Sequence, residues 1–422
     1  MCGIAGFLAT GSGGRGAELL AAMGGAMAHR GPDGSGEWLS PDGRAGLAHR
    51  RLAILDLTEA GAQPMLSLDR RFAISFNGEV FNYREIREEL KGRGHAFRSD
   101  SDTEVMLAAC REWGVEGATS RFIGMFAFAL WDDRERRLSL VRDRLGIKPL
   151  FIARAPGLVL FASELKGILA CPAFSREVDR AALQHYLSFQ YVPSPLAIYR
   201  DAEKVPPGCI VVIDADGTRS ERRYWSLAGC WDPAAGARRS EADLFDELKG
   251  LLASSVRYRM ISDVPLGAFL SGGIDSSLVV ALMQREAAGP VKTFSIGFAE
   301  PGYDESGYAR AVAAHLGTEH HEKICTAAEA LSLVRRIPDV YDEPFGDASA
   351  IPTMLVSAFT REHVTVSLSG DGGDELFCGY PRYDWIRHAG LLKNLPAALR
   401  VPACRLLPAV CCSFLHPYPT GA

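Results

Sequence analysis

Nowhere in this sequence does an uninterrupted apolar run reach the ~18 residues of a membrane span, and the opening "MCGIAGF" lacks the basic start and long apolar core of a secretory signal. The cytoplasm is the expected location. Neither sign of charge dominates: 46 Lys and Arg stand against 51 Asp and Glu, for a formal net charge of −5. That balance supplies no basic stripe for nucleic acid and no polybasic patch for a membrane surface, so neither is expected as a partner. The ten cysteines are scattered, with no C-x-x-C and one vicinal pair, Cys411 and Cys412, which argues against a zinc site and a disulfide framework. A Walker A loop is also missing, as are internal repeats and low-complexity segments.

What is there reads as an ordinary globular composition, 47% hydrophobic and 23% charged over 422 residues. Single cores stop growing at ~250–300 residues, so two domains are expected. Most of the cysteines fit as small buried hydrophobes. Cys2 differs by position. Removal of Met1 by an aminopeptidase leaves a thiol and an α-amine on one residue, and that amine titrates near neutrality, where it can take the thiol proton. The apolar stretch Ile4 to Leu8 predicts a buried strand that fixes this residue at a strand end.

Further on, "AISFNGEVFN" alternates around Asn77-Gly78, the strongest short hairpin signal, and predicts a tight turn. Such a turn sets a side-chain amide beside a backbone N–H, two donors suited to a developing oxyanion.

The texture changes from "PSPLAIYRDAEKVPPG" (Pro193 to Gly208) through "RRYWSLAGCWDPAAGARRS" (Arg222 to Ser240), which reads as a linker. Domains are expected over 1–225 and 241–422, joined by 226–240. Beyond the linker, strands and helices alternate as in a parallel α/β sheet: "DLFDELKGLLASSVRYRM" as helix, "VPLGAFL" as strand, "SSLVVALMQREA" as helix. "SGGIDS" (Ser271 to Ser276) lies at the strand-to-helix turn, where backbone N–H groups and the helix dipole favour a phosphate. The strand "VTVSLS" ends in a second glycine-rich loop, "GDGGDELFCGY" (Gly370 to Tyr380). Loops at neighbouring strand ends flank one crevice, and Asp275 and Asp374 there face a polyphosphate only with Mg²⁺ between them.

"HRGPDGSG" (His29 to Gly36), "AHRRLAILD" (Ala48 to Asp56), "FNGEVFNYREI" (Phe76 to Ile86), "SDSDTEV" (Ser99 to Val105), "GMFAFALWD" (Gly124 to Asp132) and "RDRLGIKPL" (Arg142 to Leu150) follow one another in order. Together they resemble the glutamine-hydrolysing domain of N-terminal-nucleophile amidotransferases, in the version carried by asparagine synthetases. "SGGIDSS", "TFSIGF" (Thr293 to Phe298), "DEPFGDASAIPT" (Asp342 to Thr353) and "LSGDGGDE" (Leu368 to Glu375) resemble the ATP pyrophosphatase domain of the same family.

The resemblance implies an α/β and α+β protein of two domains, an N-terminal-nucleophile αββα sandwich followed by a Rossmann-like parallel α/β pyrophosphatase domain. It implies Cys2 as nucleophile and Asn77 with Gly78 as the oxyanion hole. Arg51, Leu52, Ile54, Asn77, Gly78, Glu79 and Asp102 are then expected around glutamine, with Arg51 on its carboxylate and Asp102 and Glu79 on its amine. For ATP it implies Phe269, Ser271, Gly272, Gly273, Asp275, Ser276, Ile296, Ser369 and Gly370, with Asp371 near the adenylate and Asp275 and Asp374 on Mg²⁺. Glutamine, aspartate and ATP are the expected substrates, and a homodimer is compatible with the family. In that family the aspartate side chain is activated as an acyl-adenylate with loss of pyrophosphate, and ammonia, carried internally from Cys2, displaces AMP.

Relatives continue past the tyrosine loop into a "VPFLD"-like segment and a lysine-bearing helix, whereas this sequence ends in "LLPAVCCSFLHPYPTGA". Three readings therefore stand: a synthetase, a glutaminase whose second domain binds ATP without completing synthesis, or an interaction protein. The acceptor is also open, between aspartate and another carboxylate such as a cell-surface polymer precursor.

Overall fold

A computed structural model describes residues 1–11, 16–232, 234, 239–299, 304, 306–381, 383 and 384; part of the expected linker (233 and 235–238) and the tail 385–422 lie outside the described residues. Strand β1 covers Gly3–Ala9 and is buried along its whole length. Its even and odd residues face different cores. Ile4 and Leu8 join Leu47, Trp131 and Leu140 in one layer, while Ala5 and Phe7 meet Leu20 and Met23 of the helix Gly16–Gly25 in another. A strand covered on both faces reads as a continuous apolar run, which is why "GIAGFLA" shows no alternation.

The remaining strands of the first domain are β2 (Gly34–Leu39), β3 (Ala45–Arg51), β4 (Met65–Leu66), β5 (Phe72–Val80), β6 (Gly124–Asp132), β7 (Arg137–Arg142), β8 (Phe151–Ala155), β9 (Leu158–Ala162), β10 (Ala202–Lys204), β11 (Cys209–Asp214) and β12 (Arg219–Arg223). They form two six-stranded sheets, β10-β8-β9-β1-β3-β2 and β12-β11-β7-β6-β5-β4, whose pairings are antiparallel. The sheets stack face to face over the layer containing Trp131 and Phe161. Helices Gly16–Gly25 and Leu165–Leu169 cover one outer face; Tyr83–Gly92 and Asp102–Arg121 cover the other. The result is the expected αββα sandwich.

The expected Asn77-Gly78 hairpin does not form. Strand β5 runs unbroken through both residues, paired with β6 from Phe72↔Asp132 to Val80↔Gly124. Gly78 instead meets a close backbone approach: a Cβ built on it lands 2.1 Å from the Met125 carbonyl oxygen, and its φ is +143°. Glycine is required there by the neighbouring strand rather than by a turn. Two bonds tie β3 to β5 across the sheets: Ser75 Oγ donates to the Ala48 carbonyl (3.0 Å), and His49 Nε2 lies 3.1 Å from the Phe76 carbonyl. Burial pushes the His49 ring down to about 4, so it is neutral at pH 7 and Nε2–H is the donor.

The second unit contains β13 (Leu266–Phe269), β14 (Lys292–Phe298), β15 (Glu319–Cys325) and β16 (Val366–Leu368), all parallel in the order β15-β14-β13-β16. The chain moves outward from β13 to β15 and then returns to the other side of β13, so the strand order reverses between β13 and β16. Open α/β sheets bind ligands at such a switch point. Helices Glu241–Arg259 and Ile274–Glu286 contribute Val256, Val280 and Met283 to the core beside Leu368.

Contacts join the two units. Lys166 Nζ pairs with Asp342 (2.8 Å) and Lys204 Nζ with Glu343 (2.5 Å), while Tyr258 Oη donates to Glu85 (2.8 Å) and the Asp56 N–H to Asp263 (2.8 Å).

Candidate active site

Cys2 stands immediately before β1, in sheet with β3, while β5 brings Asn77 up from the second sheet. One cavity, of about 60 Å³, is lined by Cys2, Arg51, Leu52, Ile54, Asn77, Gly78, Glu79 and Asp102. Every residue expected around the amide donor is therefore on one wall or another of the same space.

The Cys2 thiol accepts from the Leu52 N–H (3.4 Å) and faces the Leu52 carbonyl (3.6 Å). Burial raises its pKa, partly offset by that backbone contact and by the terminal amine. The Met1 ammonium is itself pushed down to about 6, chiefly by burial. Asn77 is 1% exposed, and neither its Nδ2 nor its Oδ1 has a partner among the described residues. An unpaired buried amide lowers stability by ~1–3 kcal/mol, so its retention beside a thiol points to a ligand that completes it.

Alternation along β3 separates two adjacent arginines. Arg51 lines the cavity, whereas Arg50 Nε donates to the Gly24 carbonyl on the helix-covered face (2.9 Å). Arg51 Nη1 donates to the Thr58 carbonyl (2.8 Å), and Nη2 to the carbonyls of Leu55 (3.3 Å) and Asp56. The guanidinium thus holds the 55–58 loop, and among the described residues these bonds engage one Nη1–H and both Nη2–H groups. A Cβ on Gly61 would fall 2.3 Å from Nη2, so only glycine leaves room for it.

Asp102, also on the cavity wall, is buried at the start of the helix Asp102–Arg121 and accepts from the Val80 N–H (2.9 Å). Burial nevertheless pushes its carboxyl up to about 6. Glu79 is pushed to about 7, first by burial and then by Asp102, against the pull of Lys148 and Arg259. Both carboxyls line the cavity.

Two wall residues, Gln63 and Lys148, and one residue behind the wall, Arg30, carried no individual expectation. Gln63 braces the site, its Oε1 accepting from the Phe76 N–H (2.7 Å) and its Nε2 donating to Thr103 (3.1 Å). Lys148 lines the cavity, and burial pushes its ammonium down. Arg30 Nε donates to the Cys2 carbonyl (2.8 Å). Arg30 and Lys148 belong to the conspicuous segments "HRGPDGSG" and "RDRLGIKPL"; Gln63 gives no local signal.

In the second unit, Ser271, Gly272 and Gly273 form the turn between β13 and the helix Ile274–Glu286. Gly272 has φ +82°, and a Cβ on it would strike Tyr308 and Ala309 at 2.6 Å. Ser276 Oγ lies 3.0 Å from Ser271 Oγ and 3.3 Å from the Ser271 N–H, closing the turn. The second loop lies directly on this helix start: a Cβ on Gly370 would sit 2.7 Å from Ser276 N, and one on Gly373 only 2.4 Å from the Asp275 carboxylate. Phe269 closes β13 and Ile296 is on the neighbouring β14. Ser369 Oγ donates to Asp371 (2.9 Å), which is exposed, and Asp374 lies one residue past Gly373. Asp275 and Asp374 provide hard oxygens of the kind Mg²⁺ takes beside a phosphate. No cluster of three or more metal-ligating side chains occurs among the described residues.

A thiol heading the first strand of an αββα sandwich, joined to a parallel sheet with glycine loops at its switch point, defines the class by architecture: an antiparallel sandwich domain coupled to a parallel α/β domain. The glutamine amidotransferase domain family matches residues 1–225, just over half of the chain, and the asparagine synthase family matches residues 247–410. A putative glutamine-hydrolysing asparagine synthetase 2 of Methanocaldococcus jannaschii is 36% identical, over 96% of this chain and 81% of its own length. The chain belongs to the glutamine-hydrolysing asparagine synthetase family. The glutamine-hydrolysing asparagine synthetase 1 of Bacillus subtilis is 40% identical over 91% of this chain, and a putative one of Mycobacterium tuberculosis is 39% identical over 91%. This chain spans 59% and 61% of those two proteins. Among solved structures, the glutamine phosphoribosylpyrophosphate amidotransferase of B. subtilis aligns over 76% of this chain and 65% of its own, at 16% identity and a TM-score of 0.41.

Proposed function

We propose that this protein hydrolyses glutamine at Cys2 and delivers the ammonia to an aspartyl-adenylate made from aspartate and ATP, a cytoplasmic glutamine-dependent asparagine synthesis. The observation that carries the reading is the cavity shared by the Cys2 thiol, the unpartnered Asn77 amide, the Arg51 cation and the Glu79–Asp102 pair.

Loss of Met1 frees the Cys2 amine to accept the thiol proton. Sγ then attacks the carbonyl carbon of the glutamine amide. The oxyanion is met by Asn77 Nδ2–H and the Gly78 N–H, and the intermediate expels ammonia as the proton returns to the leaving nitrogen. Water cleaves the thioester to glutamate and restores the thiol. Arg51 holds the substrate carboxylate and Glu79 with Asp102 its ammonium, so only a free α-amino acid is charge-matched at both ends.

For the second half, the aspartate side-chain carboxylate attacks the α-phosphorus of ATP, pyrophosphate departs, and ammonia displaces AMP. Ser271, Gly272, Gly273 and Ser276 would cradle the phosphates, Phe269, Ile296, Ser369 and Gly370 would flank the nucleotide, and Asp371 would lie near the adenylate. Asp275 and Asp374 would hold Mg²⁺, which when bound neutralises phosphate charge and orients the triphosphate. The close fit of Gly370 and Gly373 against the Asp275 helix start supports this pairing.

Two assays on the purified chain test the reading: glutamate release from glutamine, and pyrophosphate release with ATP, with and without aspartate. Glutamate without aspartate-dependent pyrophosphate limits the protein to glutaminase activity, and absence of both rejects the reading.

A further inference from the structure

Arg30 is 8% exposed and ends the short turn Ala28–Arg30 beneath the nucleophile. Its Nε donates to the carbonyl of Cys2 (2.8 Å) and its Nη1 to Glu164 Oε1 (2.5 Å). Glu164 follows β9, and its other oxygen accepts from His29 (2.9 Å) and from Lys166 Nζ (2.8 Å). Lys166 then reaches out of the first domain. Its Nζ meets Asp342 Oδ1 (2.8 Å) and the Asp339 carbonyl (3.0 Å), and its N–H meets Asp342 Oδ2 (3.1 Å). Four charged side chains alternate in sign from the peptide of the nucleophile to the first residue of the "DEPFGDASAIPT" segment. None of their side chains is more than 21% exposed.

We propose that Glu164 and Lys166 are positioning residues of the glutamine site, acting on Cys2 through Arg30, and that Asp342 makes the seating of the nucleophile depend on the docked second domain. This inference rests on the glutamine-hydrolysis reading. The connection is continuous because Arg30 bonds both Cys2 and Glu164, and Lys166 both Glu164 and Asp342. Withdrawal of Asp342 leaves Lys166 with only Glu164 and a main-chain carbonyl; Glu164 then rebalances between Lys166 and Arg30, and Arg30 is the side chain holding the Cys2 carbonyl. The nucleophile needs placement to within about an ångström of Asn77, because a shift of that size costs up to about a hundredfold in rate. Enclosed ion pairs are weak evidence of stabilisation in themselves, whereas removing one partner leaves an uncompensated charge. A chain of them ending on the nucleophile's own peptide serves placement.

A neighbouring pair supplies the control. Lys204 joins Glu343 across the same boundary (2.5 Å) and also donates to the Val192 carbonyl, but it has no bond to Glu164 or Arg30.

The experiment compares E164Q, K166M, K166R, D342N and K204M in the full chain by glutamate release and by the rate of Cys2 alkylation with iodoacetamide. For E164Q, K166M and D342N the expected kcat is lower by about tenfold with KM within about twofold, since binding groups are untouched while the nucleophile is misplaced. Alkylation rates change in the same three variants; K166R restores kcat, and K204M leaves it at the wild-type level. Should E164Q misfold by circular dichroism, D342N in the other domain decides. Wild-type kcat and alkylation in both K166M and D342N overturn the inference while leaving glutamine hydrolysis standing. An equal loss in K204M overturns it too, because any loosening of the boundary then suffices. A wild-type chain that releases no glutamate removes the underlying reading and the inference with it.

Discussion

Asn77→Ala is expected to separate activity from stability in opposite directions. In the native chain this amide is 1% exposed with both polar atoms unpartnered beside the Cys2 thiol. Loss of one oxyanion donor weakens transition-state stabilisation by about 2.7–4 kcal/mol, which lowers kcat by about 10²–10³-fold. KM should stay near its wild-type value, because Asn77 meets the oxygen only as charge develops. For folding the terms differ. Relief of unpartnered polar atoms returns about 1–3 kcal/mol each, of which the lower end applies beside a cavity that admits water. Against this, the deleted atoms leave a void of about 30 Å³, a loss of ~0.7 kcal/mol. The variant should be as stable as wild type or about 1 kcal/mol more so, a Tm shift of about 2–4 °C for a unit of this size. Steady-state glutamate release and a thermal melt read the two quantities. A kcat within threefold of wild type (about 0.65 kcal/mol) rejects the oxyanion role, and a clear drop in Tm shows that Asn77 holds the strand together instead.

Cys2→Ala should abolish glutamate release, and so should a variant retaining Met1; residual turnover in purified C2A comparable to wild type would falsify the nucleophile assignment. Arg51→Lys should raise KM for glutamine more than it alters kcat, since a lysine can neither hold the Leu55, Asp56 and Thr58 carbonyls nor offer a second donor, and an unchanged KM counts against it. Gly78→Ala should lower stability by more than the ~1 kcal/mol of an ordinary glycine exchange, measured by urea midpoint, because its Cβ strikes the Met125 carbonyl. Glu79 and Asp102 titrate near about 7 and about 6, so KM should climb as pH falls from 8 to 6 and the ammonium partners are neutralised, and Glu79→Gln should flatten the upper part of that profile. The folded state keeps protons that the unfolded chain has released, so these two groups make stability fall as pH rises between about 4 and 7, and the Glu79→Gln melt should be the less pH-dependent one.

Most of the sandwich and both glycine loops were legible because their causes are local. A strand buried on both faces needs consecutive apolar residues, and "GIAGFLA" supplies them. The turn at Gly272 needs a positive φ and a side-chain-free approach to Tyr308, and the sequence places glycine there. The Asn77-Gly78 signal was read wrongly for an instructive reason. Glycine marks a need for space or for unusual φ without saying which, and here the need comes from β6, which is almost fifty residues away in sequence. The strand still brings Asn77 to the cavity that Cys2 lines, so the two residues share one space without a hairpin.

What remained hidden has partners far along the chain. Gln63 is an ordinary polar residue until β5 and the helix Asp102–Arg121 surround it with the Phe76 N–H and Thr103. Glu164 and Lys166 lie in none of the quoted motifs, and Asp342 opens "DEPFGDASAIPT" without any sign of its partner. Their chemistry exists only after the second unit docks and Lys166 bridges 176 residues to Asp342. Sequence patterns report the demands of one element on its own residues; charge relays between elements make no such demand, since a lysine is equally suited to water. A motif can mark the two ends of such a connection, as "HRGPDGSG" holds Arg30 and "DEPFGDASAIPT" opens on Asp342, but not the Glu164 and Lys166 that join them, so the place to look for coupling in this protein is the boundary between Lys166 and Asp342 rather than either glycine loop.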